Sequence, residues 1–235
     1  MVGTQRTIGP ANSVPGHVKV VEIIHREIAL GRILPGEKLP AERKFAEQLG
    51  VSRETVRQAL RILEGSGVLS IKRGASGGAF VCEVHVSQAE VKSILRNQLD
   101  EVLQLIDFRG ILEGAAAKAV ATSHSTEIID EIDSAISQLE NATTLSESRS
   151  ADTAFHLAIA RGTKNSFLLR SIEDARVRMF QPVDAFQMEF VKKSSVKAHR
   201  DIRDAIAEGN ASQSEQLMKA HLNETSVEFK RLIEE

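Results

Sequence analysis

The stretch Ala46-Glu47-Gln48-Leu49-Gly50-Val51-Ser52-Arg53-Glu54-Thr55-Val56-Arg57-Gln58-Ala59-Leu60 constrains the fold of this chain more than any other. A small residue, a glycine four positions later and an apolar-serine pair opening a second helix are how two short helices are joined by a tight turn. Arg53, Arg57 and Arg61 follow at i, i+4 and i+8, which puts three guanidinium groups along one side of that second helix. A helix entering the DNA major groove needs that arrangement, with apolar residues behind and forked donors in front for guanine edges and phosphates. A solvated basic face on an ordinary helical hairpin would carry the same three arginines. The turn before the stripe and the segment after it decide between the two.

A first helix is expected over 15–30, where Val18, Val21, Ile24, Ile28 and Leu30 fall near helical spacing and Gly31 follows. Leu34-Pro35-Gly36-Glu37-Lys38-Leu39-Pro40 reads as a turn, and helices are expected over 41–49 and 52–64. The period then changes. Val68–Arg73 and Ala79–Cys82 read as two short strands joined by Gly74-Ala75-Ser76-Gly77-Gly78. Three helices followed by a glycine-tipped hairpin predict a winged helix-turn-helix over 15–82. Lys72 and Arg73 beside Gly74 let the wing tip approach a backbone or enter a minor groove. As a phosphate cradle the glycine loop lacks the Lys-Ser/Thr pair and the following helix of a P-loop.

The whole-chain charge of -2 hides an asymmetry: residues 1–86 hold 12 Lys/Arg against 8 Asp/Glu, and residues 87–235 hold 18 against 24. A basic front and an acidic rear suggest that only the front meets a polyanion. At 235 residues there is room for two domains, and nine Phe with no Trp or Tyr leave a helix-leaning, Ala- and Leu-rich composition. No apolar run approaches the ~18 residues of a membrane span. Residues 1–14 read as a polar arm without the apolar core of a signal peptide. The single cysteine, Cys82, excludes an internal disulfide, so a reducing cytoplasm is the expected home.

After a linker at 83–87, the pattern is helical to the end. Helices are expected over 88–104, 106–122, 125–140, 147–161, 165–180, 183–208 (with a break) and 211–233, giving an all-α second domain over 88–235. Asp152 and His156 stand at i and i+4 on one of these helices, His199 on another, His221 on the last. Asp152 and His156 alone could form a surface ion pair, and any one histidine could be a buried imidazole with a hydrogen-bond partner. Three imidazoles and a carboxylate converging from three helices would instead suit a divalent transition metal such as Zn, Ni, Mn, Fe or Co. Linear spacing does not decide whether they converge.

With both constellations in view, the chain resembles the GntR family of bacterial transcription regulators, in its FadR-like branch with an FCD effector domain. The likeness runs from about residue 15 to 230. In front it rests on Leu34–Arg43, Gly50–Leu60, Leu63-Glu64, Gly67-Val68-Leu69 and the wing to Phe80-Val81. Behind, it rests on Asp107–Glu113, Asp152-x-x-Phe155-His156, Asn165, His199 and His221-Leu222. Ala41 stands where Ser is common, Gln58 where Glu is common, and Ala198 where Glu often precedes the third ligand.

The resemblance implies a mainly α protein, a winged helix-turn-helix followed by an all-α bundle. It implies DNA contacts from Arg43, Ser52, Arg53, Thr55, Arg57, Arg73 and Gly74, and metal ligation by Asp152, His156, His199 and His221, with Zn the first choice. It further implies a small organic acid bound near the metal, paired with Arg109, while Leu112 and Glu113 serve packing and helix geometry. The function expected is a homodimeric, one-component regulator, a repressor by preference, on a pseudo-palindromic double-stranded operator. Two other readings compete. A metal-dependent hydrolase fused to a DNA-binding module would need a general base or nucleophile that is not evident. A purely structural metal would sense no small molecule.

Overall fold

The computed structural model describes residues 14–74, 76–83, 88–123, 125–183 and 188–234. The expected arm (bar its last residue), the wing residue Ala75 and most of the expected linker therefore lie outside the described residues. The chain divides into two compact units, Met1–His25 with Gly36–Cys82, and Arg26–Pro35 with Glu83–Glu235.

The first unit is built on α1 (Gly16–Ala29), α2 (Glu42–Leu49), α3 (Arg53–Gly65) and a hairpin of β1 (Leu69–Lys72) and β2 (Gly78–Val81). The turn chemistry is visible atom by atom. Gly50 ends α2 in the left-handed region at φ 65°, where a side chain is strained. Val51 N–H then reaches the Ala46 carbonyl at 3.1 Å. Ser52 Oγ accepts from the Thr55 amide at 3.0 Å and so caps α3. Ala41 offers α2 no such cap. Behind the turn, Val56, Ala59, Leu60 and Leu63 of α3 are buried, as are Phe45 and Ala46 of α2. The hairpin is antiparallel with Leu69 opposite Val81, both buried, and Lys38 bridges to Phe80 beside it.

The second unit is all helical among its described residues: α4 (Gln88–Ala121), α5 (Thr126–Asn141), α6 (Leu145–Gly162), α7 (Ser166–Val183), α8 (Met188–Ala207) and α9 (Ala211–Glu234). The two helices expected over 88–104 and 106–122 are one 34-residue helix. Nothing at position 105 breaks a helix, and the buried stripe runs through it as Val102, Ile106, Ala116, Ala117 and Val120. The helix expected to begin at 183 begins at Met188, while α7 runs on to Val183; residues 184–187 lie outside the described residues. Thr144 and Glu147 form a reciprocal capping box that starts α6 two residues earlier than expected. Asn165 Oδ1 accepts from the Phe167 and Leu168 amides and opens α7 in the same way.

Helix α4 lies along α9 and against α7 and α6, and α5 packs on α6 and α8. Ile132, Leu139, Phe155, Ile159, Ile172, Ile202, Met218 and Leu222 are among the buried side chains between them. Fully burying a side chain of this size stabilises by about 1.5–3 kcal/mol. Where the second unit takes in Arg26–Pro35, Gly31 sits at φ 64° with Ser150 Oγ donating to its carbonyl at 2.7 Å. A Cβ on Gly31 would stand 2.7 Å from the Ser150 Cα. Gly31→Ala is therefore expected to cost about 1–3 kcal/mol through backbone strain and overlap. Urea denaturation should show it; an unchanged midpoint would mean that the turn relaxes freely.

Candidate metal centre and DNA-reading face

Position along three helices brings one polar cluster together inside the apolar bundle. Asp152 and His156 are one turn apart on α6, His199 comes from α8, and His221 from α9. Their ligand atoms all lie within 4.8 Å of one another. His199 Nε2 is 3.2 Å from His221 Nε2. Asp152 Oδ1 is 3.5 Å from His199 Nε2 and 3.7 Å from His156 Nε2. All three histidines are buried. The four residues singled out in the sequence are thus brought to one point, with three nitrogen donors and one carboxylate oxygen. That donor set fits a divalent transition metal.

Around this point lies a second layer of charge. Arg176 of α7, fully buried, donates from Nη2 to Asp152 Oδ2 at 2.6 Å and to Thr153 Oγ1 at 3.0 Å. Arg109 of α4 is buried to the same degree and donates from Nε to Glu113 Oε1 at 2.6 Å. Its Nη1 meets the thioether sulfur of Met179 at 3.1 Å, a weak acceptor. The other oxygen of Glu113, Oε2, lies in close contact with His156 Nδ1. His199 stacks flat on Phe155, centroids 3.6 Å apart.

Glu113, expected to serve packing and helix geometry, also links Arg109 and His156. Arg176 was not anticipated at all. Both carried a signal in the sequence: each is a charged residue on the apolar stripe of its helix, Arg176 one turn from Ile172 and beside Met179. Two guanidiniums and two carboxylates share this interior, so its fixed charges balance.

Burial sets the protonation of the imidazoles. It pushes His199 well below its ordinary value and, with His156 nearby, pushes His221 down to about 3. Burial alone would raise Asp152 and Glu113. Arg176 overrides it at Asp152 and Arg109 at Glu113, each with help from His156, so both carboxyls stay well below the usual range. The folded protein therefore holds His199 and His221 neutral, the form that can ligate a metal.

In the first unit Arg43, Arg53 and Arg61 are exposed, as are Ser52, Arg73 and Gly74 of the expected contact set. Ser52 Oγ also lies 2.8 Å from Thr55 Oγ1, so both hydroxyls are engaged at the start of α3. Arg57 is half-buried and held by carboxylates, with Nη2 3.1 Å from Glu42 Oε2 and Nη1 3.2 Å from Glu54 Oε2. Gly74 has φ 108°, a conformation that a side chain would strain. Lys38 and Lys72 lie 5.8 and 5.0 Å from the Phe80 ring centroid, bringing positive charge to the base of the wing.

A helix-turn-helix with a hairpin wing, followed by a helical bundle around a histidine cluster, is the build of a bacterial transcription regulator. Residues 17–81 match the description "Bacterial regulatory proteins, gntR family", and residues 104–224 match the FCD domain. The chain is 30% identical to the HTH-type transcriptional regulator LutR of Bacillus subtilis (strain 168), over 84% of this chain and 93% of that protein. It is 32% identical to an Escherichia coli (strain K12) protein named for regulation of the L-lactate dehydrogenase operon, over 85% of this chain and 81% of that one. The fold is similar to that of E. coli McbR/YncC, with TM-score 0.57 and 20% identity over 93% of this chain and 99% of that one. The chain belongs to the GntR family, in the branch that carries an FCD domain, and is a transcription regulator of that type. These families and relatives are regulators, not enzymes, which removes the hydrolase reading.

Because His199 and His221 titrate well below the unfolded value near 6.5, the unfolded chain binds more protons than the folded one in mild acid. Stability of the metal-free protein is then complete above about pH 7 and falls as pH drops below the unfolded value. For His221 the loss continues to its folded value of about 3. Asp152 and Glu113 add losses of the same sign below the ordinary carboxylate range. We expect roughly 1 kcal/mol per pH unit per histidine between pH 6 and 4. Melting in chelator at pH 7 and pH 5 measures this, and His221→Asn should lessen the slope. A flat profile in wild type would contradict the buried neutral assignment.

Proposed function

We propose that this regulator works as a cytoplasmic homodimer, binding a pseudo-palindromic double-stranded operator through two winged domains and sensing a small organic acid beside a divalent metal. The observation that carries the sensing half is the convergence of Asp152, His156, His199 and His221 within reach of a buried arginine network. Zn is the first candidate by donor type, with Ni, Mn, Fe and Co compatible. An ion held there supplies a Lewis-acidic point of attachment for an effector oxygen.

The chain's own residues do the rest. Arg109 has Nε committed to Glu113, and among the described residues its Nη1 meets the thioether of Met179. An effector carboxylate would replace that weak acceptor with a strong, charge-assisted one. Arg176 keeps Asp152 ionised and aimed, while burial keeps His199 and His221 neutral. On the output side, Arg53 and Arg57 read guanine edges or grip phosphate. Ser52 and Thr55 sit at the positive end of α3 beside the backbone, and Arg43, Arg73 and Gly74 track phosphate or a minor groove. The effector acts by binding one arrangement of the dimer more tightly than the other, and repression relieved by the acid is the simplest logic.

Arg53→Ala is expected to weaken specific operator binding by about 1–3 kcal/mol, measured by fluorescence anisotropy at fixed salt; unchanged affinity would remove Arg53 from base readout. For the input, L-lactate is the first acid to try, since a relative bears the name of an L-lactate operon. A ligand at 100 times its Kd adds about 2.7 kcal/mol of stability, so melting temperature should rise by several degrees in metal-loaded wild type and not in Arg109→Ala. No rise with any of a panel of small carboxylates would leave the ion a structural role only.

A further inference from the structure

The carboxylate of Glu113 makes two different contacts from the floor of the bundle. Oε1 accepts from Arg109 Nε at 2.6 Å, and Oε2 faces His156 Nδ1. The side chain is 1% exposed, so both contacts form in a dry interior. An i,i+4 Arg–Glu pair could by itself be a structural tie along α4. The second contact is what departs from that. A helix tie needs no histidine, and this histidine has its other nitrogen, Nε2, 3.7 Å from Asp152 Oδ1 in the metal-ligand cluster.

Imidazole carries two nitrogens, and in its neutral form only one holds the proton. A carboxylate against Nδ1 draws the proton there. That leaves the Nε2 lone pair bare and points it at Asp152, His199 and His221. The other imidazole with a visible support is held differently: His199 lies on the Phe155 ring. Asp152 is aimed by Arg176. His156 is thus the ligand whose tautomer and ring plane are set by a charge.

We infer that Glu113 is a positioning residue of the metal centre: it fixes His156 with Nδ1 protonated and Nε2 facing the ion, while its other oxygen holds Arg109. The inference rests on the metal site proposed above and assigns Glu113 no direct bond to the ion. Carboxylates that orient a ligating histidine in this way typically account for 10- to 100-fold of metal affinity.

Two measurements on the full-length protein test it. In the first, Zn2+ affinity is measured by competition with a fluorescent chelator for wild type, Glu113→Gln and His199→Ala. The expected result is a roughly 10- to 100-fold loss in Glu113→Gln and a larger loss in His199→Ala. If Glu113→Gln binds within twofold of wild type, the inference is overturned while the metal site stands. If wild type itself binds no Zn2+, Ni2+, Co2+ or Mn2+, the metal site and the inference fall together. Because removing one partner of a buried pair is strongly destabilising, the second measurement uses wild type alone. Long-range 1H–15N spectra of the histidine rings should show His156 protonated at Nδ1 and bare at Nε2 without metal, and Zn2+ on Nε2 when loaded. A proton on Nε2 in the metal-free protein, or Zn2+ on Nδ1, would sink it.

Discussion

The helical unit is arranged around four charges, those of buried Arg109, Glu113 and Arg176 and of partly buried Asp152. Taking any one of them out of water costs several kcal/mol, and removing one partner of a buried pair commonly costs about 3–5 kcal/mol. The network survives because each charge faces an opposite one at hydrogen-bond distance, 2.6 Å for both guanidinium–carboxylate pairs. Apolar side chains of the same volume would hold the helices together at least as well. The charges therefore do little to explain what keeps the core folded, and they favour the binding role proposed above. Three buried imidazoles in their midst make the same point.

The apolar frame supplies the precision that such a cluster needs. Phe155 is fully buried between Ala154 and His156 on α6, and its ring face supports His199 of α8. Ile159, Ile172, Ile202 and Leu222 close the space around the same helices. A ligand set drawn from three helices keeps its geometry only if those helices cannot slide, and close packing of branched side chains resists sliding.

The parts that could be read from the sequence are those whose cause is local. Gly50, Ser52 and the arginine spacing specify the turn and its second helix within a few residues, and the structure has them. The hairpin is likewise announced by its glycines and short apolar runs. Asp152, His156, His199 and His221 could be listed from residue chemistry and family likeness, but their meeting point depends on how α6, α8 and α9 pack. Arg176 and the Glu113–His156 contact escaped because those partners come from different helices, although a charge on an apolar stripe had marked both residues. The unbroken α4 was missed for the opposite reason: at position 105 neither a cap nor a breaker exists, so only continuity was left to read.

Arg57, held between Glu42 and Glu54, would give α3, as the proposed recognition helix, an internal rival to DNA. A phosphate reaching for that guanidinium must displace carboxylates already in place, and their charges repel it as it comes. A guanine edge is neutral and offers two acceptors side by side in the fork geometry an arginine prefers. If α3 meets DNA as proposed, the two glutamates would act as a filter on it, weakening its grip on arbitrary duplex more than on a site with the right base in the right place. Discrimination in such a helix would then come in part from acidic residues that never touch the operator.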